Sequence, residues 1–103
     1  MEWKAQTYDD LKKLISESET QLSESETKLW NLIKIVPQKW AQHPWGDEGK
    51  GFWAVAIFGN RVIYYNDIEE GFNCSAFQTF GTIDEYFCDD LELRTVIHNL
   101  FSS

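Results

Sequence analysis

The chain has little of what builds most reaction centres. It holds two cysteines and two histidines in 103 residues. Cys74 and Cys88 stand fourteen residues apart with no C-x-x-C, as expected of small buried thiols in a reducing compartment and not of a disulfide framework or zinc site. His43 precedes a proline and His98 lies in a helical stretch, neither with Cys, Glu or His at metal-ligand spacing. Gly46 to Gly51 lacks the glycine spacing and the Ser or Thr of a phosphate loop, and Ser75 lacks a Gly-x-Ser-x-Gly frame. Asp67 to Gly71 alternates carboxylates before a glycine, but the twelfth position of such a calcium loop is Gln78 where a bidentate Glu is needed. No metal or cofactor is expected.

Long apolar runs are missing too. MEWKAQTYDD has no apolar h-region and no later run reaches the length of a membrane span, so a cytoplasmic protein without a membrane partner is expected. Basic residues are scarce, nine against seventeen acidic, a formal charge of −8. That charge repels phosphate backbones, which argues against nucleic acid. It also repels anionic lipid surfaces. A basic protein is the complement that such a field steers, solubility being the bland alternative.

What is abundant is aromatic: 16% of residues, five of them Trp, in a length that suits one domain. Phe52 to Phe58 is continuously apolar, Gly59-Asn60 interrupts it, and Arg61 to Tyr65 resumes. A two-residue type II′ hairpin follows, predicting Ile57 opposite Val62, Val55 opposite Tyr64 and Trp53 opposite Asn66 on one face. Phe52, Ala54, Ala56 and Phe58 share the other face with Asp67, Tyr65, Ile63 and Arg61, and the alanines leave room for a helix. Both faces need cover.

Thr7 with Asp10 predicts a helix start, and Tyr8, Leu11, Leu14, Ile15 and Leu22 recur at helical spacing to about residue 24. ISESETQL at 15–22 is repeated almost letter for letter as LSESETKL at 22–29; the second copy, rich in mediocre helix formers, reads as a fraying linker. Leu29 to Val36 reads as a first strand, which Pro37 stops. Gln38 to Lys50 reads as a long loop carrying Trp40 and Trp45, either an interface or a lid over one sheet face. Asn66 to Ser75 reads as polar loop and Ala76 to Phe80 as a short fourth strand. Asp89 with Glu92 predicts a second helix whose stripe is Leu93, Val96, Ile97 and Leu100. The fold class is therefore α+β, one domain over 1–103: a small antiparallel sheet with a central β-hairpin, flanked by an N-terminal and a C-terminal helix.

Asp47, Glu48, Asp67, Glu69, Glu70, Asp84, Glu85, Asp89 and Asp90 are the abundant reactive groups, yet nothing in their spacing raises one pKa above the rest. A carboxylate-based enzyme or small-ligand site is the alternative reading, and homodimerisation through an uncovered sheet face a further one. The leading expectation is a non-enzymatic protein-binding surface made of Trp40, Trp45, Tyr65, Asp67, Glu69, Glu70 and Phe72, aromatic anchors at its centre and charge at its rim.

The stretch GFWAVAIFGNRVIYYNDIEEGF with the downstream GTIDEY, Gly81 to Tyr86, resembles a core found in small acidic bacterial immunity-type proteins of polymorphic toxin systems. The resemblance covers about half the chain and implies an inhibitor that caps a cognate, often basic, toxin. It carries over no individual functional residue.

Overall fold

A computed structural model describes residues 3–101. In chain order these form α1 (Tyr8–Glu19), α2 (Glu24–Ile33), β1 (Lys34–Trp40), β2 (Phe52–Phe58), β3 (Arg61–Asn66), β4 (Gly71–Ala76) and α3 (Leu93–Leu100). The strands make one antiparallel sheet in the order β1-β2-β3-β4, so the expected hairpin lies at its centre and the class is α+β.

The hairpin turns as the Gly59-Asn60 pair requires. Gly59 has φ +60, and Asn60 is not among the positive-φ residues, the signature of a type II′ turn. Ile57 opposes Val62 as expected, but the ladder slips between Ala54 and Ala56: Tyr64 faces Ala54 and Tyr65 faces Trp53. Val55 is the extra residue of a β-bulge. A slip of one residue exchanges faces, so Trp53 joins Ala56, Ile63 and Tyr65 under the helices, while Phe52 and Ala54 join Val62 and Tyr64 on the opposite face. The expected pairings of Val55 with Tyr64 and Trp53 with Asn66 are corrected accordingly.

All three helices pack on one face. Leu11 of α1, Trp30 and Ile33 of α2, and Leu93, Val96, Ile97 and Leu100 of α3 are buried against Val55, Ala56, Ile63, Tyr65 and Phe72. Burying each such aliphatic side chain contributes roughly 1.5–3 kcal/mol. Thr7 caps α1 by accepting the Asp10 N–H at 3.1 Å. The helix ends at Glu19, short of residue 24, and the second copy of the repeat is a helix of its own and not a linker. Its signal is a full capping box: Ser23 Oγ accepts the Glu26 N–H and Glu26 Oε1 accepts the Ser23 N–H. Leu29 to Ile33 is therefore helical, and β1 begins at Lys34. Pro37 lies inside β1, which an edge strand tolerates where the register shifts, here between Lys34 and Gln38.

The second face is covered by irregular chain. Trp40, at the end of β1, packs with Phe52, Tyr64 and Ile83, beneath Phe77 and Tyr86. The fourth strand is Gly71–Ala76 and not residues 76–80. Its alternation was disguised by polarity: Phe72 and Cys74 face the helices, while Asn73 and Ser75 are buried against the backbone of segment 85–91. Asn73 Nδ2 donates to Asp89 O, Asn66 Nδ2 donates to Phe87 O, and the Glu85 N–H donates to Ser75 Oγ. That segment also closes the β4 edge through Phe72 N–H to Leu91 O at 2.9 Å. Asp89 and Asp90 are thus extended chain, and α3 begins at Leu93 behind Glu92, which makes no side-chain cap bond. Cys74 is partly buried as expected of a core thiol, but Cys88 is exposed.

Candidate functional site

The seven candidate residues do not form one surface. Trp40, Tyr65 and Phe72 are core side chains, with Tyr65 and Phe72 in ring contact at 5.0 Å. Trp45 is 53% exposed and stacks on Tyr86 at 4.9 Å, on the loop-covered face. Nε1 of Trp40 and Oε1 of neighbouring Gln42 are buried without a protein hydrogen-bond partner.

Asp67 is only 7% exposed. Its Oδ2 accepts the Gln6 N–H at 2.7 Å and its carbonyl accepts Trp3 Nε1–H, so it fastens the N-terminal arm to the sheet. Asn66 holds the following turn, with Oδ1 accepting the N–H groups of Ile68 and Glu69. Glu69 and Glu70 remain exposed, and Glu70 takes a left-handed backbone, φ +56. Of the expected acidic trio, two carboxylates face solvent and one is structural.

The larger acidic feature lies next to that turn. All nine lysines and arginines fall outside residues 62–93, where eight of the seventeen acids occur, so the entire net charge of −8 resides in that stretch. A running charge count along the chain is the signal that exposes it. Folding lays the stretch along one sheet edge: Gly71 packs directly on the backbone of Asp89 and Asp90, and Glu85 Oε1 accepts the Ala76 N–H at the other end of β4. Glu69, Glu70, Asp84, Glu85, Asp89, Asp90 and Glu92 therefore follow one another along this edge, all exposed. Exposed Phe87 sits among them.

At one end of this edge a groove brings distant carboxylates together. Glu17 of α1, Glu70 of the β3–β4 turn, and Asp90 and Glu92 before α3 line it with Tyr65 and Phe72. Burial pushes the Tyr65 hydroxyl pKa up, and the charges of Glu70 and Asp67 push the same way. Tyr65, Glu70 and Phe72 are thus three expected residues that do meet.

Among the described residues no cluster of three or more His, Cys, Asp or Glu is arranged to hold a metal ion, and no helix is long and apolar enough to cross a membrane. Compared with protein-family models, curated proteins and solved structures, the chain matches none.

Proposed function

We propose that this chain is a non-enzymatic protein-binding module whose acidic edge docks a basic protein, and that the partner is a toxin the chain neutralises, as the likeness to immunity-type proteins implies. The observation that carries the reading is the segregation of charge: seven of the eight acids of residues 62–93, a stretch without Lys or Arg, lie exposed along one edge, with an aromatic side chain among the carboxylates. Carboxylates presented together make the local potential more negative and speed encounter with a cationic surface, while a nearby aromatic supplies contact area.

Affinity capture from the source cell, followed by kinetics with the identified partner, tests it. The association rate should fall with ionic strength, and replacing Glu69, Glu70, Asp89 and Asp90 by Gln and Asn should lower the rate and flatten its salt dependence. Co-expression of the chain should restore growth to cells making the partner. A rate indifferent to both salt and the four neutralisations overturns the reading.

Self-association is a second reading with its own observation. Neither sheet face is bare, but the β1 edge strand leaves Val36 76% exposed, four residues along the chain from Leu32 of α2, 84% exposed. Open edges of this kind pair with other chains. Sedimentation equilibrium decides it: a dimer that Val36→Lys dissociates supports it, and a monomer excludes it.

A further inference from the structure

Tyr64 and Tyr65 are adjacent, both buried, and differently satisfied. The Tyr64 hydroxyl engages the backbone of Glu85 and Phe87. The Tyr65 hydroxyl has no hydrogen-bond partner among the described residues, although Tyr65 is only 6% exposed. The Tyr65 oxygen is not among the water-excluded polar atoms left unpartnered, so this otherwise buried phenol keeps its hydroxyl open to a ligand. It lines the floor of the groove described above, about 330 Å³ in volume, with Leu14, Phe72 and Leu91 beside it. The carboxylates of Glu17, Glu70, Asp90 and Glu92 stand around that floor, and none of them makes an ion pair or accepts a hydrogen bond among the described residues. Arg94 is the one basic side chain lining it.

We propose that this groove is the pocket for one arginine side chain of the protein partner, its stem on the apolar floor and its guanidinium between the carboxylates and the Tyr65 hydroxyl. The inference rests on the basic-partner reading and deepens it. A guanidinium presents five N–H donors in a rigid plane, and the groove offers unpaired acceptors on several sides of an aromatic floor. It is also more weakly hydrated than an ammonium, so it enters a half-apolar site more readily than lysine does. With its pKa raised, the Tyr65 hydroxyl stays neutral, able to accept from the guanidinium while donating to a carboxylate. Glu70, on the turn between β3 and β4, lines the groove on that side.

The test is an NMR titration of the full isotope-labelled chain at low ionic strength with Nα-acetyl-arginine amide, its uncharged citrulline isostere and Nα-acetyl-lysine amide. The arginine probe should saturably shift the amides of Leu14, Glu70, Phe72 and Leu91, the citrulline probe should shift none of them, and lysine should bind about threefold or more weakly. Glu70→Gln with Asp90→Asn should weaken arginine binding about tenfold. Tyr65→Phe removes a hydroxyl with no protein partner, so it should weaken binding severalfold while the melting temperature stays put. Equal shifts from arginine and citrulline, equal affinity for lysine, shifts confined to other residues, or unchanged binding by these variants each overturn the pocket. An arginine nonapeptide separates the two levels of the argument. If it shifts residues 84–92 with the groove residues still, the pocket fails and the basic-partner reading stands; if it binds nowhere, both fail.

Discussion

The Tyr64 hydroxyl accepts the Phe87 backbone N–H at 2.8 Å, and it lies 3.2 Å from the Phe87 carbonyl and 3.3 Å from that of Glu85, to which it donates. One phenol thereby clamps the segment that carries Asp84, Glu85, Asp89 and Asp90 onto the sheet. Tyr64→Phe leaves buried backbone groups without this partner, so a loss of about 1–3 kcal/mol is expected by denaturant unfolding, with faster amide exchange over 85–91. Burial pushes the Tyr64 pKa from 10 up to about 12, the bond to Phe87 opposing the shift. A raised folded pKa means that the neutral phenol is favoured in the native state. Its stabilisation is complete below pH 10 and lost as pH rises from 10 through about 12. The wild-type chain should lose stability in that window, and Tyr64→Phe should lose less.

Gly71 is where the acidic edge touches the sheet most closely. A Cβ there would lie 2.4 Å from Asp89 O and from Asp90 Cα, atoms of backbone that no rotamer change can move aside. Gly71→Ala should therefore displace the 89–90 segment at a cost of about 1–3 kcal/mol. Gly59 makes the contrast, since a Cβ would meet nothing within 4 Å and only its φ of +60 resists substitution. Gly59→Ala should cost about 1–2 kcal/mol from backbone strain alone and leave the amide exchange of 85–91 unchanged.

The repeated SESET pentapeptide offers an internal control. Ser16 lies inside α1 and is exposed, whereas Ser23 caps α2 with Glu26 in a reciprocal box. Ser23→Ala should cost about 1 kcal/mol, and Ser16→Ala should be neutral or slightly stabilising, because alanine is the better interior helix former. Thermal unfolding of the two variants side by side measures the difference. Equal melting temperatures would show that context does not divide the two copies.

The same contrast explains what could be read from the residues and what could not. The central hairpin, the Thr7 cap and the α3 stripe are local patterns whose partners lie within a few residues or one helical period, and each is found where its letters place it. The Ser23–Glu26 box is equally local, but the Ser and Thr around it are mediocre helix formers, and their low propensity masks the cap that starts α2. The Val55 bulge left no mark in an unbroken apolar run, and it alone decided which face carries Trp53. β4 hid because Asn73 and Ser75 bond to the backbone of a loop distant in sequence, so a buried strand reads as polar. In the groove, Tyr65, Glu70 and Phe72 were legible as an aromatic and acidic cluster. Glu17, Asp90 and Glu92 come from other parts of the chain, and no local pattern could have joined them.

Asp67 separates structural from steering acidity. Its carboxylate accepts the Gln6 N–H, and the arm is further held by Trp53 Nε1–H donating to Gln6 O at 2.7 Å. It also acts on Lys39: burial lowers that lysine's pKa, and the Asp67 charge opposes the shift. Lys39 Nζ, reaching from β1, donates to Gly49 O and Gly51 O and lies 4.8 Å from the Trp53 ring centre, so the anion helps to keep charged a cation that ties β1 to the end of the loop carrying Trp45. Asp67→Ala should therefore cost about 1–3 kcal/mol, release residues 3–7 to proteolysis and rapid amide exchange, and lower the Lys39 pKa further. Glu69→Gln with Glu70→Gln should do the opposite: stability should change by less than about 0.5 kcal/mol while association with a basic partner slows. The two variants thus exchange their effects between unfolding and binding. An Asp67→Ala chain with wild-type stability and a slowed association rate would return Asp67 to the steering surface.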